Sequence, residues 1–308
     1  ISASAGVGGT ITPSGRVSVV KGRNQTFEIK AEEGYRISDV TVDGVSVGSK
    51  ASYTFEKVDK YHQIQAAFVK EDSQPPADPD SGSQNPVADP AATGVSDLLN
   101  TRTHDTYLRG YGNGLFGAED NMTRAQVCQM FYNLLSNKNV TITASFEDVA
   151  ADAWYAKAVN TLASIGAVKG VGENKFEPNR SITRAEFAVI ASKFAKASNT
   201  GRVSFSDVSS DAWYYESVLT AANYGWINGY SDGTFRPDAT ITRAEVTTIV
   251  NRMLAREADE RFIADETTLV QFTDVSKSHW AYGEIMEAAN GHGHSYDENR
   301  VESWTSLH

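Results

Sequence analysis

Three arginines share one local setting. Arg124, Arg184 and Arg243 lie in Met122-Thr123-Arg124-Ala125-Gln126, Ile182-Thr183-Arg184-Ala185-Glu186 and Ile241-Thr242-Arg243-Ala244-Glu245. The pattern Thr-x-x-Glu fits a capping box. The Thr hydroxyl accepts from the N–H at the third helical position, and the acid reaches back to the cap's own N–H. Replacing such a Thr by Ala costs about 1 kcal/mol. Each arginine then falls at the first helical position, where a cation opposes the helix dipole. Two kinds of chemistry would account for three cations at one offset. Each guanidinium could pair with a neighbouring carboxylate, or it could join the helix N-terminus in binding an acidic ligand through a bidentate fork. The residues alone leave both open.

The elements that must position these arginines repeat with them. After each cap come apolar residues at helical spacing: Val127, Met130, Phe131, Leu134 and Leu135; Phe187, Ile190, Ala191 and Phe194; Val246, Ile249, Val250, Met253 and Leu254. The shared stripe predicts three equivalent helices around a common axis. Ahead of each cap runs a glycine loop, clearest in Gly229-Tyr230-Ser231-Asp232-Gly233-Thr234-Phe235-Arg236-Pro237-Asp238. Its leading glycine (Gly110, Gly170, Gly229) stands thirteen residues before the capping Thr in every copy. Phe116, Phe176 and Phe235 align as core plugs, and Pro178 and Pro237 fix the approach to the helix.

A second half-motif precedes the loops. Phe146-Glu147-Asp148-Val149, Phe205-Ser206-Asp207-Val208 and Phe272-Thr273-Asp274-Val275 are followed by Trp154, Trp213 and Trp280, eight residues after each Phe. The Asp can cap or brace the turn into an amphipathic helix that the Trp opens. The region begins with a loop-and-cap half (109–135) and ends with a Phe-Asp-Trp half (272 to about 290), with two complete repeats, 146–197 and 205–256, between. Orphaned halves would expose apolar faces. The economical expectation is closure of the two ends into a ring-like, pseudo-threefold helical domain.

Residues 1–70 read as a small all-β module. Alternating runs such as Gln25–Ile29, Val40–Val42 and His62–Ala66 are broken by turn signals, with Asp43-Gly44 a strong hairpin cue. The Gly-rich run Gly6–Thr10 precedes no helix pattern, so a phosphate loop fails its context test. The elements Ala3-Ser4-Ala5-Gly6-x-Gly8-Gly9-Thr10-Ile11-x-Pro13-x-Gly15, Gly34-Tyr35, Val42-Asp43-Gly44 and Tyr53-Thr54-Phe55 ahead of His62 resemble a divergent internalin-B-type repeat of bacterial surface proteins. The resemblance implies a spacer or adhesive stalk. Residues 71–95 hold five of the eight prolines (Pro75, Pro76, Pro79, Pro86, Pro90) and read as a semi-extended linker.

Composition bounds the partners. The chain has 308 residues and a formal charge of −11, which argues against nucleic acid and anionic membranes as general partners. The one cysteine, Cys128, excludes an intrachain disulfide and reads as a small buried filler. No apolar run is long enough to cross a bilayer. Without an initiator Met or signal peptide, the chain is expected to be a processed or truncated piece of something longer.

Together, Phe-x-Asp-Val-x4-Trp, Gly-Tyr-x-Asp-Gly-Thr-Phe-Arg-Pro and Ile-Thr-Arg-Ala-Glu resemble surface-layer homology (SLH) domains over residues 96–308, with Asp97–Thr101 ahead of the first loop. The repeats would be about 96–140 completed by 270–308, then 141–200, then 201–258. The resemblance implies an all-α, three-pronged domain with a central three-helix bundle, anchored noncovalently to an anionic secondary cell-wall polysaccharide, typically pyruvylated. It places the protein outside the bacterial cell, at the wall or surface layer. It also implies sugar sites in the grooves between repeats. Arg124, Arg184 and Arg243 would meet the carboxylate there. Trp154, Trp213, Trp280, Tyr111 and Tyr230 would be ring platforms, and Gly110, Gly170, Gly229, Asp232, Asp148, Asp207 and Asp274 would complete the sites. For any single Trp, burial in the core is the competing role. Copy one departs from the pattern with Gln126 and with Asn113–Gly117, and copy two with Lys169–Lys175, so the three grooves should not be equivalent. Arg243 belongs to the best-preserved copy.

Two rival chemistries have weaker support. A wall-glycan hydrolase needs one acid opposite a second carboxylate, and the adjacent pairs Glu119-Asp120 and Glu147-Asp148 do not supply that geometry. Gly291-His292-Gly293-His294 offers two imidazoles but no third metal ligand at a recognisable spacing, and reads as a solvated turn or local hydrogen-bonding residues near the closing end. A purely structural surface-layer spacer is the remaining alternative. A monomer without metal, cofactor or catalytic residues is expected.

Overall fold

The computed structural model describes residues 1–32, 35–47, 50–70, 87–198, 203–298 and 301–308. It divides into two compact units, Ile1–Ala77 and Asp78–His308. Residues 71–86, with four of the linker prolines, lie outside the described residues.

The first unit is β-rich. Strands β1 (Ser2–Ala5), β2 (Gly9–Thr12), β3 (Gly15–Arg16), β4 (Gln25–Ala31), β5 (Tyr35–Val42), β6 (Val45–Ser46), β7 (Ser52–Phe55) and β8 (Gln63–Lys70) form two sheets, ordered β3-β1-β8-β5-β6 and β2-β4-β7. Period-two alternation decides which side is buried. Phe27 and Ile29 on β4 and Ile64 and Ala66 on β8 face the core, while Thr26, Glu28, Gln63 and Gln65 stay outside. Asp43 and Gly44 both take positive φ, 52° and 82°, as the two-residue turn between β5 and β6 requires.

The second unit is built on helices. These are α1 (Pro90–Thr93), α2 (Val95–Leu98), α3 (Arg124–Leu134), α4 (Ala156–Ser164), α5 (Arg184–Ser192), α6 (Tyr215–Asn223), α7 (Arg243–Leu254), α8 (Glu260–Asp265) and α9 (Tyr282–Ala289). The unit is not all-α. It ends in an antiparallel pair, β9 (His292–Tyr296) with β10 (Glu302–Leu307), and the whole described chain is mixed, with three sheets. This overturns the all-α expectation. The physical reason is alternation: in β10, Glu302 and Trp304 are buried while Ser303 and Thr305 are exposed, a period of two rather than 3.6. Gly291-His292-Gly293-His294 is likewise not a solvated turn, because His292 is buried in β9.

The helices α3, α5 and α7 start as their sequences dictate. Thr123, Thr183 and Thr242 each make a complete capping box, with Gln126, Glu186 and Glu245 returning to the cap N–H. Just before the caps, three buried residues bond in a cycle. Met122 N–H donates to Ile241 O at 3.0 Å, Ile241 to Ile182 O at 3.2 Å, and Ile182 to Met122 O at 2.9 Å. Each apolar stripe then enters one continuous core, where Phe131 stacks on Phe194 at 4.6 Å and on Phe187 at 6.0 Å.

Candidate ligand-binding junctions

Each cap opens toward the glycine loop of the next repeat, and its first N–H groups are used there. Arg124 and Ala125 donate to the carbonyls of Arg180 and Pro178, Arg184 and Ala185 to Ala239 and Pro237, and Arg243 and Ala244 to Asp120 and Ala118, all at 2.9–3.0 Å. The third N–H goes to the capping Thr. The positive end of each helix is therefore filled by the protein's own carbonyl oxygens. A guest anion could not use these amides, so any recognition falls to the guanidinium.

The guanidinium groups are buried along the same junctions. Arg124 Nε and Nη2 donate to Phe176 O and Lys169 O, both at 2.8 Å. Arg184 donates to Phe235 O at 2.9 Å and Asn228 O at 3.3 Å, and Arg243 to Phe116 O at 2.8 Å and Arg109 O at 2.9 Å. Each also lies on an aromatic face: Phe176 at 4.4 Å for Arg124, Phe235 and Tyr230 at 5.0 Å for Arg184, Phe116 and Tyr111 at 4.7 and 4.8 Å for Arg243. Carbonyl dipoles and ring quadrupoles offset the unfavourable helix dipole. Copy two has Val171 where Tyr111 and Tyr230 stand, so Arg124 has one ring fewer.

The third guanidinium edge separates the junctions. Arg184 Nη1 reaches Glu245 Oε1 at 3.0 Å, and Arg124 Nη1 stands 3.7 Å from Glu186 Oε1. Both partners occupy the third helical position of the next cap. At the Arg243 junction the equivalent residue is Gln126, and among the described residues Arg243 forms no ion pair. Burial pushes its pKa down, against the attraction of Tyr111, Asp120 and Asp274. One junction thus holds a buried cation without a contacting carboxylate.

The aspartates tie the two half-motifs together. Both oxygens of Asp148 accept backbone N–H bonds, from Phe176 at 2.8 Å and Glu177 at 2.7 Å. Asp207 accepts from Phe235 and Arg236, both at 2.7 Å. Asp274 accepts from Phe116 at 2.8 Å and Gly117 at 2.7 Å, which joins the C-terminal half-motif to the N-terminal loop. The second residue of each pair has positive φ: Glu177 57°, Arg236 57° and Gly117 71°. Gly117 is thus the residue best suited to that backbone. Gly110, Gly170 and Gly229 lie beneath Phe272, Phe146 and Phe205, where a Cβ would stand 2.4–2.7 Å from a ring carbon or loop carbonyl. The exposed Asp232 organises its own turn. Bonds from the Thr234 hydroxyl (2.6 Å) and amide (3.0 Å), then Arg236, hold its carboxyl down at about 2.

The indoles divide. Trp154 and Trp213 are 62 % and 68 % exposed, against Tyr155 and Tyr214 at 5.1 and 5.3 Å. Trp280 is half-buried beside His279, which bonds Glu119 at 3.1 Å. Trp226, which the repeat pattern does not single out, is the fully buried one.

This cyclic exchange of loops and caps covers the stretches that match a known family. Residues 107–128, 145–188 and 204–247 match the S-layer homology domain. The helical unit carries three S-layer homology segments. Among its relatives, the cellulosome-anchoring protein of Acetivibrio thermocellus is 35% identical over 215 residues, 66% of this chain and 46% of that protein. The surface-layer 125 kDa protein of Lysinibacillus sphaericus is 33% identical over 156 residues, 49% of this chain and 13% of that protein. An amylopullulanase of Thermoanaerobacterium thermosulfurigenes is 31% identical over 182 residues, 57% and 10%. The chain thus spans less than half the length of each of these relatives. The S-layer homology segments are binding modules, and they align with the junctions rather than with residues 1–70. Among the described residues no helix is long and apolar enough to cross a membrane.

Proposed function

We propose that this chain fastens a bacterial surface protein noncovalently to the cell wall by binding an anionic, pyruvylated wall polysaccharide in the grooves between its S-layer homology segments. A location at the cell wall or surface layer follows from the three segments and from the anchoring and surface-layer relatives. The observation that carries the finer claim is the Arg243 junction, where Gln126 stands in place of the carboxylate that offsets Arg124 and Arg184. A carboxylate brought by a pyruvate ketal would complete the same pairing there. Trp213 and Trp154 then offer exposed aromatic faces for sugar rings, with Trp280 the poorer platform. Tyr111, whose ring lies on Arg243, belongs to the same groove.

Binding without catalysis is part of this proposal. Asp148 has both oxygens committed to backbone amides and Glu119 bonds His279, so one acid of each pair singled out in the sequence is already engaged in holding the fold. Residues 1–70 would act as a spacer of the internalin-B type, and the chain as a monomer.

Gln126→Glu is the decisive variant, because two other copies of the cap already hold Glu at that position. It should fold with an unchanged or raised melting midpoint, and weaken binding to purified wall polymer about tenfold or more, equivalent to ~1.4 kcal/mol. Equal binding of native and pyruvyl-stripped polymer by both proteins would sink the role assigned to Arg243.

A further inference from the structure

Outside the three junctions, four titratable side chains meet in the interior. His104 precedes the first loop, Glu287 lies on α9, His292 on β9 and Glu302 on β10; their side chains are fully buried. One ligand atom from each lies within 4.8 Å of all the others. We propose that this cluster is a structural binding site for a divalent transition-metal ion, zinc first, which clasps the start of the helical unit to its end.

Distances support a metal over a plain hydrogen-bonded cluster. His104 Nδ1 is 2.8 Å from Glu302 Oε1, 3.5 Å from Glu287 Oε1 and 3.1 Å from His292 Nε2. His292 Nε2 is 3.3 Å from Glu287 Oε2 and 3.4 Å from Glu302 Oε1. Four ligands held 2.0–2.1 Å from a tetrahedral ion stand about 3.3–3.4 Å apart; the approaches to the two imidazoles, counting both Glu287 oxygens, run from 2.8 to 3.5 Å, and taking up an ion needs only small side-chain adjustments within a set that spans 4.8 Å.

The hydrogen-bond directions point the same way. His292 Nδ1 lies 2.8 Å from the carbonyl of Asn290, which can only accept, so Nδ1 carries the proton. In neutral imidazole, Nε2 then presents a lone pair toward two carboxylates, an arrangement that calls for a cation between them. A backbone carbonyl fixing the distal ring nitrogen is also the usual support of a metal-bound histidine. Neither oxygen of Glu287 receives a hydrogen bond, and His104 Nε2 is likewise unpartnered. Nearby Arg256 is committed to the carbonyls of Thr103, Asp105 and Asn100.

The surroundings suit a closed site. Trp304 stacks on His292 at 3.8 Å and His294 on His104 at 3.7 Å, covering the imidazoles. Glu302 Oε2 is held by the amide of Glu257 at 3.0 Å, leaving Oε1 for the cluster. Four protein ligands with no open position make a structural site rather than a catalytic one, and the two-nitrogen, two-oxygen set suits zinc or cobalt better than calcium. The backbone follows the same path, since His292 N–H donates to His104 O at 3.0 Å. The ion would therefore join segments 188 residues apart.

The test uses the full chain without an affinity tag, stripped with chelator and dialysed. Zinc chloride should bind at one equivalent and, at a hundredfold excess over Kd, raise the melting midpoint by about 5–10 °C. Cobalt chloride should give the intense visible bands of four-coordinate cobalt. His104→Gln and Glu302→Gln should each weaken zinc binding about a hundredfold, while His62→Ala, in the first unit, should not change it. Failure to retain zinc with an unmoved midpoint overturns the proposal in favour of a proton-bridged cluster. So does equal retention by all variants. If the two cluster variants do not fold, the wild-type cobalt spectrum decides, and weak six-coordinate bands reject the site.

Discussion

Two of the three junctions close their charge from within, and the third does not. Arg124 faces Glu186 and Arg184 faces Glu245, whereas Arg243 faces the position held by Gln126. The backbone framework is the same at all three: two N–H groups to the neighbouring loop, two guanidinium bonds to its carbonyls, one Asp bracing the loop from the preceding half-motif. One amide-for-carboxylate exchange therefore changes the charge of a site without changing its frame. Turning an internally neutralised junction into one with an uncompensated cation needs no new architecture, only removal of an internal counter-ion.

The sharpest way to break this comparison is to delete the arginines one at a time. Arg184→Ala removes the ion-pair partner of Glu245 and the guanidinium donor to the carbonyls of Phe235 and Asn228, and losing one side of a buried ion pair costs about 3–5 kcal/mol. At roughly 2–4 °C per kcal/mol, thermal unfolding should move down by about 6–20 °C. Arg243→Ala orphans two carbonyls but no contacting carboxylate, and should cost less, about 2–3 kcal/mol. Equal losses would mean that Glu245 contributes nothing and that the junctions do not differ in the way described.

A second pair of variants sharpens the surface side. Trp213→Ala removes a side chain 68 % exposed and should shift stability by no more than about 0.5 kcal/mol, while reducing polymer binding. Trp280→Ala removes a half-buried ring packed against the core and should cost about 1–3 kcal/mol. Calorimetric melts and polymer titrations on both proteins separate platform from packing.

What could be read in the sequence was whatever is local and repeated. The capping boxes and the turn at Asp43-Gly44 each depend on a few adjacent residues. The direction of the guanidinium bonds could not be read so, because Arg184 reaches Phe235 across 51 residues and Arg243 reaches Phe116 across 127. The histidine cluster was hidden for the same reason. Its ligands come from four separated positions, and a search for local spacing stops at His292 and His294. Alternation over Glu302–Thr305, with Glu302 and Trp304 inward, was the available signal for the terminal strand. A helical motif that dominates the preceding two hundred residues obscured it.

The smallest effect lies in the loops, where the copies again differ by an amide for an acid. Asn113 Oδ1 accepts from Leu115 N–H at 3.2 Å, whereas Asp232 accepts from the amide and hydroxyl of Thr234 and from Arg236. The Asp232 carboxyl is held at about 2, below its ordinary 3.8, first by the Thr234 side chain and then by its amide. A depressed folded-state pKa adds stability above the unfolded value that is lost as pH falls through the folded one. The window is thus about pH 4 to 2. Asp232→Asn should remove that part of the acid dependence by lowering the neutral-pH midpoint slightly toward its value below pH 2, the drop kept small by solvent around the exposed loop and by an amide that can still accept from Thr234 as Asn113 does from Leu115. Carbon-detected titration of the Asp232 carboxyl should give a midpoint near 2 in the native chain and a higher one in Thr234→Val, which keeps the backbone bond and loses the hydroxyl. A midpoint near 3.8 in the native chain would show the loop to be held by its backbone alone, making the first and third loops equivalent.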